Sequence, residues 1–460
     1  MPVKAAIKLP SLFTDNMVLQ QLSEVNIWGW AKAGEKVSVI TSWNNKKYVT
    51  IAETSGKWKL KVATPQAGGP YSLTISDGTA KTLNNVMIGE VWICTGQSNM
   101  EMPMKGFKGT PVSGSNDVIL KSKNKNMRLF TVARASKREP QEDCSGQWQE
   151  ANPESVSNFS ATGYYFGRLL NELLDVPVGL ISCNYGGSNA EAWMNSEMLK
   201  NFSEIKILQK SDSVKEPNRT PILLFNGMLN PIIGYSIKGC IWYQGESNYD
   251  RPDQYEKLFP TMVKEWRTLW GQGDFPFYYA QIAPYNYAQL PPYRKGGKYN
   301  SAFLRDAQRK SMDKISNSAM AVLLDIGEEN NIHPANKEVG GKRLAYLALA
   351  KTYGIKGFGY ASPSYESLTV KDSVATVTFQ NIPNGLTSFD KKLSNFEVAG
   401  ADKKFYPANA VLGRKSVSVS SPMVKKPVAV RYAFKDFVVG DLFGTEGLPA
   451  SSFRTDDWDE

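Results

Sequence analysis

The chain has 460 residues, 42% hydrophobic and 21% charged, with a net charge of +10. That is ordinary globular composition, long enough for two or three domains at roughly 150 residues each. Lysine and arginine are scattered among Asp and Glu with no basic block carrying interleaved aromatics, which argues against nucleic acid, and no apolar run approaches the ~18 residues of a membrane span.

Residues 1–87 read as all-β. The segments Val25-Asn26-Ile27-Trp28-Gly29-Trp30, Lys36–Ile40, Lys57–Val62 and Tyr71–Ile75 mostly alternate polar and apolar, and clusters such as Ala67-Gly68-Gly69-Pro70 punctuate them. A half-buried β-sandwich is expected. From residue 88 the pattern changes. Val91–Cys94 is a buried strand; Phe166, Leu169, Leu170, Leu173 and Leu174 have helical spacing; Val176–Ile181 and Ile237–Gln244 are strands. A helix carrying Tyr255, Leu258, Phe259, Met262, Val263 and Trp266 follows, then strand Phe275–Ile282, helix Ala302–Asp313, strand Ala319–Ile326 and helix Lys337–Tyr353. Alternating helices and near-continuously apolar strands predict a parallel sheet covered on both faces over 88–355. Alternation returns in 356–460, at Leu368–Val370, Val374–Phe379, Val417–Val419 and Val428–Tyr432. The plan is β, then α/β, then β.

Four cysteines, Cys94, Cys144, Cys183 and Cys240, form no Cys-x-x-Cys pair, so zinc and redox chemistry have no support. Three of them fall in or beside predicted strands, as small hydrophobes do. The opening MPVKAAIKLP carries no signal-peptide pattern. His333 is the single histidine, so any chemistry that needs an imidazole must use it.

Ligands of open α/β sheets sit beyond the carboxyl ends of the strands. Four polar clusters of the middle region fall at such ends: Gly96-Gln97-Ser98-Asn99, Asn184-Tyr185-Gly186-Gly187-Ser188-Asn189, Gln244-Gly245-Glu246-Ser247-Asn248, and Asp325 followed by Asn330-Asn331-Ile332-His333-Pro334. Each alone is equally a turn; all four together at strand ends point to chemistry. Ser98 can attack an ester carbonyl once His333 has taken its proton. The N–H groups of Ser98 and Gly187, with the Gln244 amide, can steady the oxyanion. Gln97, Asn99 and Glu246 are placed to hold substrate. An acid, or a backbone carbonyl, must orient the imidazole. Asp325 is the candidate, on the expectation that a strand end supports it rigidly. The imidazole is expected to titrate near its ordinary ~6.5 unless the acid raises it.

The motifs GQSNMEMPM, WYQGESN and NIHPANKEVGGKRLA resemble the sialate O-acetylesterase family of SGNH-type hydrolases. SLFTDNMVLQQ, FNGMLNPIIGYSIKG and SSFRTDDW are similar to family signatures too, so the resemblance covers nearly the whole chain. It implies a flavodoxin-like, three-layer α/β/α catalytic domain between N- and C-terminal β-sandwich-like domains. It also implies no metal or other cofactor, and removal of acetyl groups from sugars. Residue by residue, Ser98 matches the nucleophile, His333 the base and Gly187 the oxyanion-hole glycine. The usual asparagine block is replaced by Gln244-Gly245-Glu246-Ser247. Asn330 stands where an aspartate three residues before the histidine is usual, which leaves Asp325, Glu328, Glu329 or a Ser-His dyad.

The leading expectation is therefore a serine carbohydrate O-acetylesterase acting on an O-acetylated sugar or glycan, with no nucleic-acid or membrane partner. A sialate 9-O-acetyl ester, or acetylated xylan or xyloglucan, is the substrate. The resemblance and the sugar imply a periplasmic or secreted bacterial protein; oligomeric state is open. Trp193, Trp242, Tyr243, Tyr285 and Tyr287 are candidates for stacking on sugar rings or for the core. A non-catalytic glycan-binding protein is the competing expectation, and a structural scaffold the third.

Overall fold

The computed structural model of the chain describes residues 7–209, 211–290 and 300–459. The first six residues, where the leader reading begins, lie outside the described residues. The fold is mixed α/β with a central sheet. Two compact units divide the chain: Met1–Trp242 with Met262–Phe277, and Tyr243–Thr261 with Tyr278–Glu460. No described helix is long and apolar enough to cross a membrane.

The first unit opens with strands β1 (Glu24–Trp30), β2 (Lys36–Thr41), β3 (Lys57–Ala63) and β4 (Gly68–Ser76). Their alternating residues are buried, as the period-2 pattern requires. Strand β5 (Ala80–Gly96) is the spine. Its first half pairs antiparallel with β4, and every residue from Val86 to Gly96 is buried. The strand passes residues 87 and 88 without a break, so the predicted change of pattern falls inside one element.

Beyond β5 come α1 (Ser98–Glu101), β6 (Asn124–Thr131), β7 (Trp148–Ala151), α2 (Ala161–Leu174), β8 (Val178–Asn184) and β9 (Gly239–Tyr243). The sheet order in this unit is β9-β5-β8-β6-β7. Strand β8 is parallel to both β5 and β6, and every one of its residues is buried, which is why it reads as a continuous apolar run. Its register sets Val178 opposite Glu90 and Asn184 opposite Gly96, so the two strands end level. Helix α2 starts at the Ser160 cap, whose hydroxyl accepts from the Gly163 N–H, and buries Tyr164, Phe166 and Leu170. Trp193, Trp242 and Trp266 meet edge to face at 5.6–6.3 Å and fix the strand that leads to Gln244.

Helix α3 (Pro252–Trp270) begins in the second unit and ends in the first, and β10 (Phe277–Ala280) leads back. The second unit then holds α4 (Ala302–Ser311), β11 (Ser318–Ala321) and α5 (Lys337–Lys351), with β10 and β11 as sheet neighbours. Strand β11 stops at Ala321, shorter than the predicted Ala319–Ile326, so Asp325 lies in a turn of the following loop and not at a strand end. The apolar run Val322-Leu323-Leu324 that suggested a longer strand is buried, but without strand pairing.

The C-terminal strands form two antiparallel four-stranded sheets. One contains β12 (Ser364–Lys371), β13 (Val374–Gln380) and Ser416–Ser420; the other contains Phe396–Ala399 and Ala429–Tyr432. The SSFRTDDW segment is a structural tie within this unit. Arg305 of α4, fully buried, donates to the Ser452 hydroxyl at 3.0 Å and to the Ala433 carbonyl at 3.4 Å. Arg454 reaches Asp306 at 3.4 Å, and Asp456 receives two bonds from Arg431 at 3.0 and 2.7 Å.

Candidate active site

Ser98 is the first residue of α1, directly after β5. Gly96 and the extended Gln97 turn the chain out of the sheet, and the Gln97 carbonyl accepts from Met100 and Glu101, both at 2.9 Å. Met100, Met102 and Met104 are fully buried and root the segment in the core. The Asn99 carbonyl accepts from the Thr162 hydroxyl at 3.0 Å, and Ala161 N–H donates to the Met102 carbonyl at 2.9 Å. Gln97 and Asn99 are buried while Ser98 between them is part-exposed. Ser98 is thus the one residue of the three that reaches solvent.

Because β5 and β8 end level, the segment after β8 leaves the sheet beside Ser98. Tyr185 N–H still bonds the Gly96 carbonyl at 3.2 Å, one step past the ladder. Gly186 follows in close approach: a Cβ there would stand 3.4 Å from the Ser98 Cβ and 3.0 Å from Glu101 Oε2. Gly187 has φ +70°, and a Cβ would stand 2.9 Å from Asn218 Nδ2. Gly187 is required by its backbone conformation, and Gly186 by the side chains that crowd it. The Gly186 amide is spoken for: it donates to Glu101 Oε2 at 2.8 Å, and Asn218 donates to the Gly186 carbonyl at 2.8 Å. Glu101 in turn receives two bonds of 2.6 Å from Arg134, whose guanidinium lies 4.6 Å from the Tyr185 ring centre. This pair ties the glycine loop to α1, the helix that Ser98 opens.

In the second unit, Gln244 is fully buried. Its side-chain amide donates to Asn248 Oδ1 at 2.7 Å, and its carbonyl accepts from Gln308 at 3.1 Å and Tyr255 at 3.3 Å. Glu246, 4% exposed, sits in the short turn that follows. His333 lies in the loop 322–336. Its backbone N–H donates to Asn331 Oδ1 at 3.0 Å; Asn331 donates to Glu328 Oε2 at 3.0 Å; Glu328 Oε1 accepts from the Ala335 N–H at 2.6 Å. Asp325 has both oxygens in a fork with Arg343 of α5, at 2.6 and 2.7 Å. Burial, and secondarily the Lys337 ammonium, push the His333 imidazole down to about 4. That is opposite in direction to the rise that an orienting acid would bring.

All five aromatics named for sugar stacking, Trp193, Trp242, Tyr243, Tyr285 and Tyr287, are buried, the most exposed at 8%. They are core residues. Cys94, Cys183 and Cys240 are buried free thiols whose pKa burial raises. Among the described residues no group of three or more His, Cys, Asp or Glu is placed to hold a metal ion. Three residues near the candidate side chains escaped the sequence reading: Glu101 and Arg134 in the first unit, and Lys337 in the second. Glu101 was inside the quoted GQSNMEMPM and Lys337 inside NIHPANK; Arg134 had no local signal.

A serine at the end of a buried parallel strand, flanked by a glycine loop from the neighbouring strand, defines an α/β ester hydrolase. Residues 88–349 match the model of the carbohydrate esterase family of sialic acid-specific acetylesterases. A carbohydrate acetylesterase from Xanthomonas citri has the same structure with a TM-score of 0.89 at 31% identity, over 98% of this chain and 100% of that one. The sialate O-acetylesterases of Homo sapiens and Mus musculus are each 28% identical, over 78% and 76% of this chain and 74% of their own. The chain belongs to the sialic acid-specific acetylesterase family and is a carbohydrate O-acetylesterase.

Proposed function

We propose that the protein hydrolyses the acetyl ester of an O-acetylated sugar through an acetyl-enzyme on Ser98. The observation that carries this reading is the level ending of β5 and β8, which sets Ser98 and the Gly186-Gly187 loop side by side. His333 accepts the hydroxyl proton as Ser98 Oγ attacks the acetyl carbonyl. The N–H groups of Ser98 and Gly187, with the Gln244 amide, receive the oxyanion. Collapse expels the sugar oxygen, which takes the proton from His333. Water then enters, gives its proton to His333, and acetate leaves. Gln97, Asn99 and Glu246 hold the sugar.

Asp325 is the acid that steadies the imidazolium in this reading; a carboxylate in a fork with arginine keeps lone pairs for a further donor. Glu328 is the second reading, favoured by its bonds to Asn331 and Ala335 on either side of His333. The same proposal takes the catalytic region as a three-layer α/β/α domain over 88–355, with β domains at 1–87 and 356–460, in a periplasmic or secreted protein. The substrate is a sialic acid acetylated at the 9-hydroxyl. An acetylated xylan or xyloglucan is the alternative, favoured by the likeness to a structure described as a carbohydrate acetylesterase without a sialate.

Acetate release from 9-O-acetylated sialic acid and from an acetylated xylo-oligosaccharide, side by side with Ser98→Ala, tests this. Release from the sialate alone, lost in the variant, is expected. Release from the xylo-oligosaccharide alone moves the substrate to the plant polysaccharides. No release from either, nor from an aryl acetate, returns the protein to glycan binding without catalysis.

A further inference from the structure

The first unit holds a cavity of about 270 Å³ between the end of α1 and the carboxyl ends of β6 and β8. Pro103 and Phe107 give one wall, Ser182 and Asn184 of β8 another, and Glu101 with Arg134 a third. The last pair places it beside Ser98. A Cβ on Gly186 would stand 3.0 Å from Glu101 Oε2, 3.4 Å from Ser98 Cβ and 3.8 Å from Arg134 Nη2, so the three groups surround one point. The volume is close to the roughly 300 Å³ at which small-molecule pockets begin, a size for one sugar unit and not for a chain. Buried polar groups need partners, and some around the cavity have them. Asn158 accepts from Lys105 Nζ at 2.6 Å and donates to the Glu154 carbonyl at 2.9 Å, and the Ser160 hydroxyl serves Met100 and Gly163. The end of β8 differs. Asn184 is 4% exposed; its amide N–H donates to Ser182 Oγ at 2.7 Å, while Oδ1 has no partner among the described residues. Ser182, equally buried, accepts that bond and keeps its own proton for a further acceptor. Leucine at 184 would close the strand at similar volume with no orphaned oxygen.

We propose that this cavity is the subsite for the uncharged, hydroxyl-bearing carbons that adjoin the acetyl ester, with Asn184 and Ser182 as its specificity-determining residues. This rests on the reading of Ser98 as the nucleophile. A substrate hydroxyl donates to the Asn184 amide oxygen, and a substrate oxygen accepts from the Ser182 hydroxyl. Arg134 commits Nε and Nη2 to Glu101 at 2.6 Å, which leaves Nη1 as a second donor. Pro103 and Phe107 meet the C–H face of the sugar. The two charged wall residues neutralise each other, so a carboxylate gains nothing here and hydroxyls do. The hydroxyl-bearing carbons beside the ester of a 9-O-acetylated sialic acid and those of an acetylated xylose unit share this chemistry. The cavity thus selects a sugar over other acetyl esters.

The test sets sugar esters against an ester without hydroxyls. kcat/KM is measured for 9-O-acetylated sialic acid, an acetylated xylo-oligosaccharide and an aryl acetate, in the wild type, Asn184→Leu and Ser182→Ala. The preference for sugar ester over aryl acetate is expected to fall about tenfold in Asn184→Leu and about threefold in Ser182→Ala. A fall on the sialate arm or on the xylo-oligosaccharide arm identifies which sugar the cavity holds. An unmoved preference, or an equal loss on all three esters, would overturn the inference and leave a cavity for water or packing. Should Asn184→Leu not fold, Asn184→Ala reads the same preference. Calorimetric binding of the two sugar esters to Ser98→Ala, with and without Asn184→Leu, answers independently of turnover, and binding about tenfold weaker in the double variant is expected. A wild type inactive on every ester would end the esterase reading, yet weaker binding in the double variant would keep the cavity as a sugar site. An active wild type whose preference the variants leave unmoved would do the reverse.

Discussion

Ser98 leaves the sheet on a strand whose neighbours fix its direction, whereas His333 sits on the loop 322–336, between a four-residue strand and a helix. The first is positioned by register. Strands β5 and β8 are paired from Glu90 to Gly96, and backbone bonds carry that order one step further to Tyr185. The second is positioned by side chains: Asn331 and Glu328 brace the loop from inside, and Arg343 grips Asp325. Register comes from many weak, cooperative contacts, so single substitutions at the periphery leave it intact. A loop braced by a few charged groups has no such reserve, and the loss of one partner leaves another buried and unpaired.

That contrast sets the order of expected effects. Ser98→Ala and His333→Ala each lower turnover on the order of 10⁴-fold or more with the melting temperature nearly unchanged, because residues that act as a unit fail together. Near-normal activity in either, with wild-type melting, would end the mechanism. Asp325→Asn and Glu328→Gln come next. The acid that steadies the imidazolium is the one whose loss costs on the order of 10⁴ in kcat. Asp325→Asn also loosens the Arg343 fork and lowers the melting temperature, so a thermal shift with kcat retained would assign Asp325 to structure and the acid's role to Glu328. Smallest is Gly187→Ala. A side chain at φ +70° and 2.9 Å from Asn218 strains the Gly186-Gly187 loop, and a loss of about 10²–10³ in kcat is expected with stability reduced by ~1–2 kcal/mol. If stability falls and kcat does not, Gly187 shapes the loop without serving the oxyanion.

The same contrast explains what could be read from residues alone. Buried parallel strands announce themselves as apolar runs, so Val91–Cys94 and Val176–Ile181 were found close to β5 and β8, with the serine and glycines just beyond. The run after Ala319 misled for the same reason. Val322, Leu323 and Leu324 are as apolar as a strand and are buried, but the strand pairing stops at Ala321, and Asp325 was carried to a strand end that is a turn. The aromatics could not be placed by pattern at all. Tyr285 and Tyr287 were left open between stacking on a sugar and the core, and both are packed inside.

The buried strand before Ser98, the later apolar strands and helices and the single imidazole were determined by the sequence, because hydrophobic period and a unique residue need no knowledge of distant neighbours. Tertiary structure alone decided the partners. Glu101 meets Arg134 across 33 positions and Asp325 meets Arg343 across 18. It also decided the sign of the histidine's shift. Charge and burial act through space, and no spacing along the chain shows which groups will share a desolvated pocket.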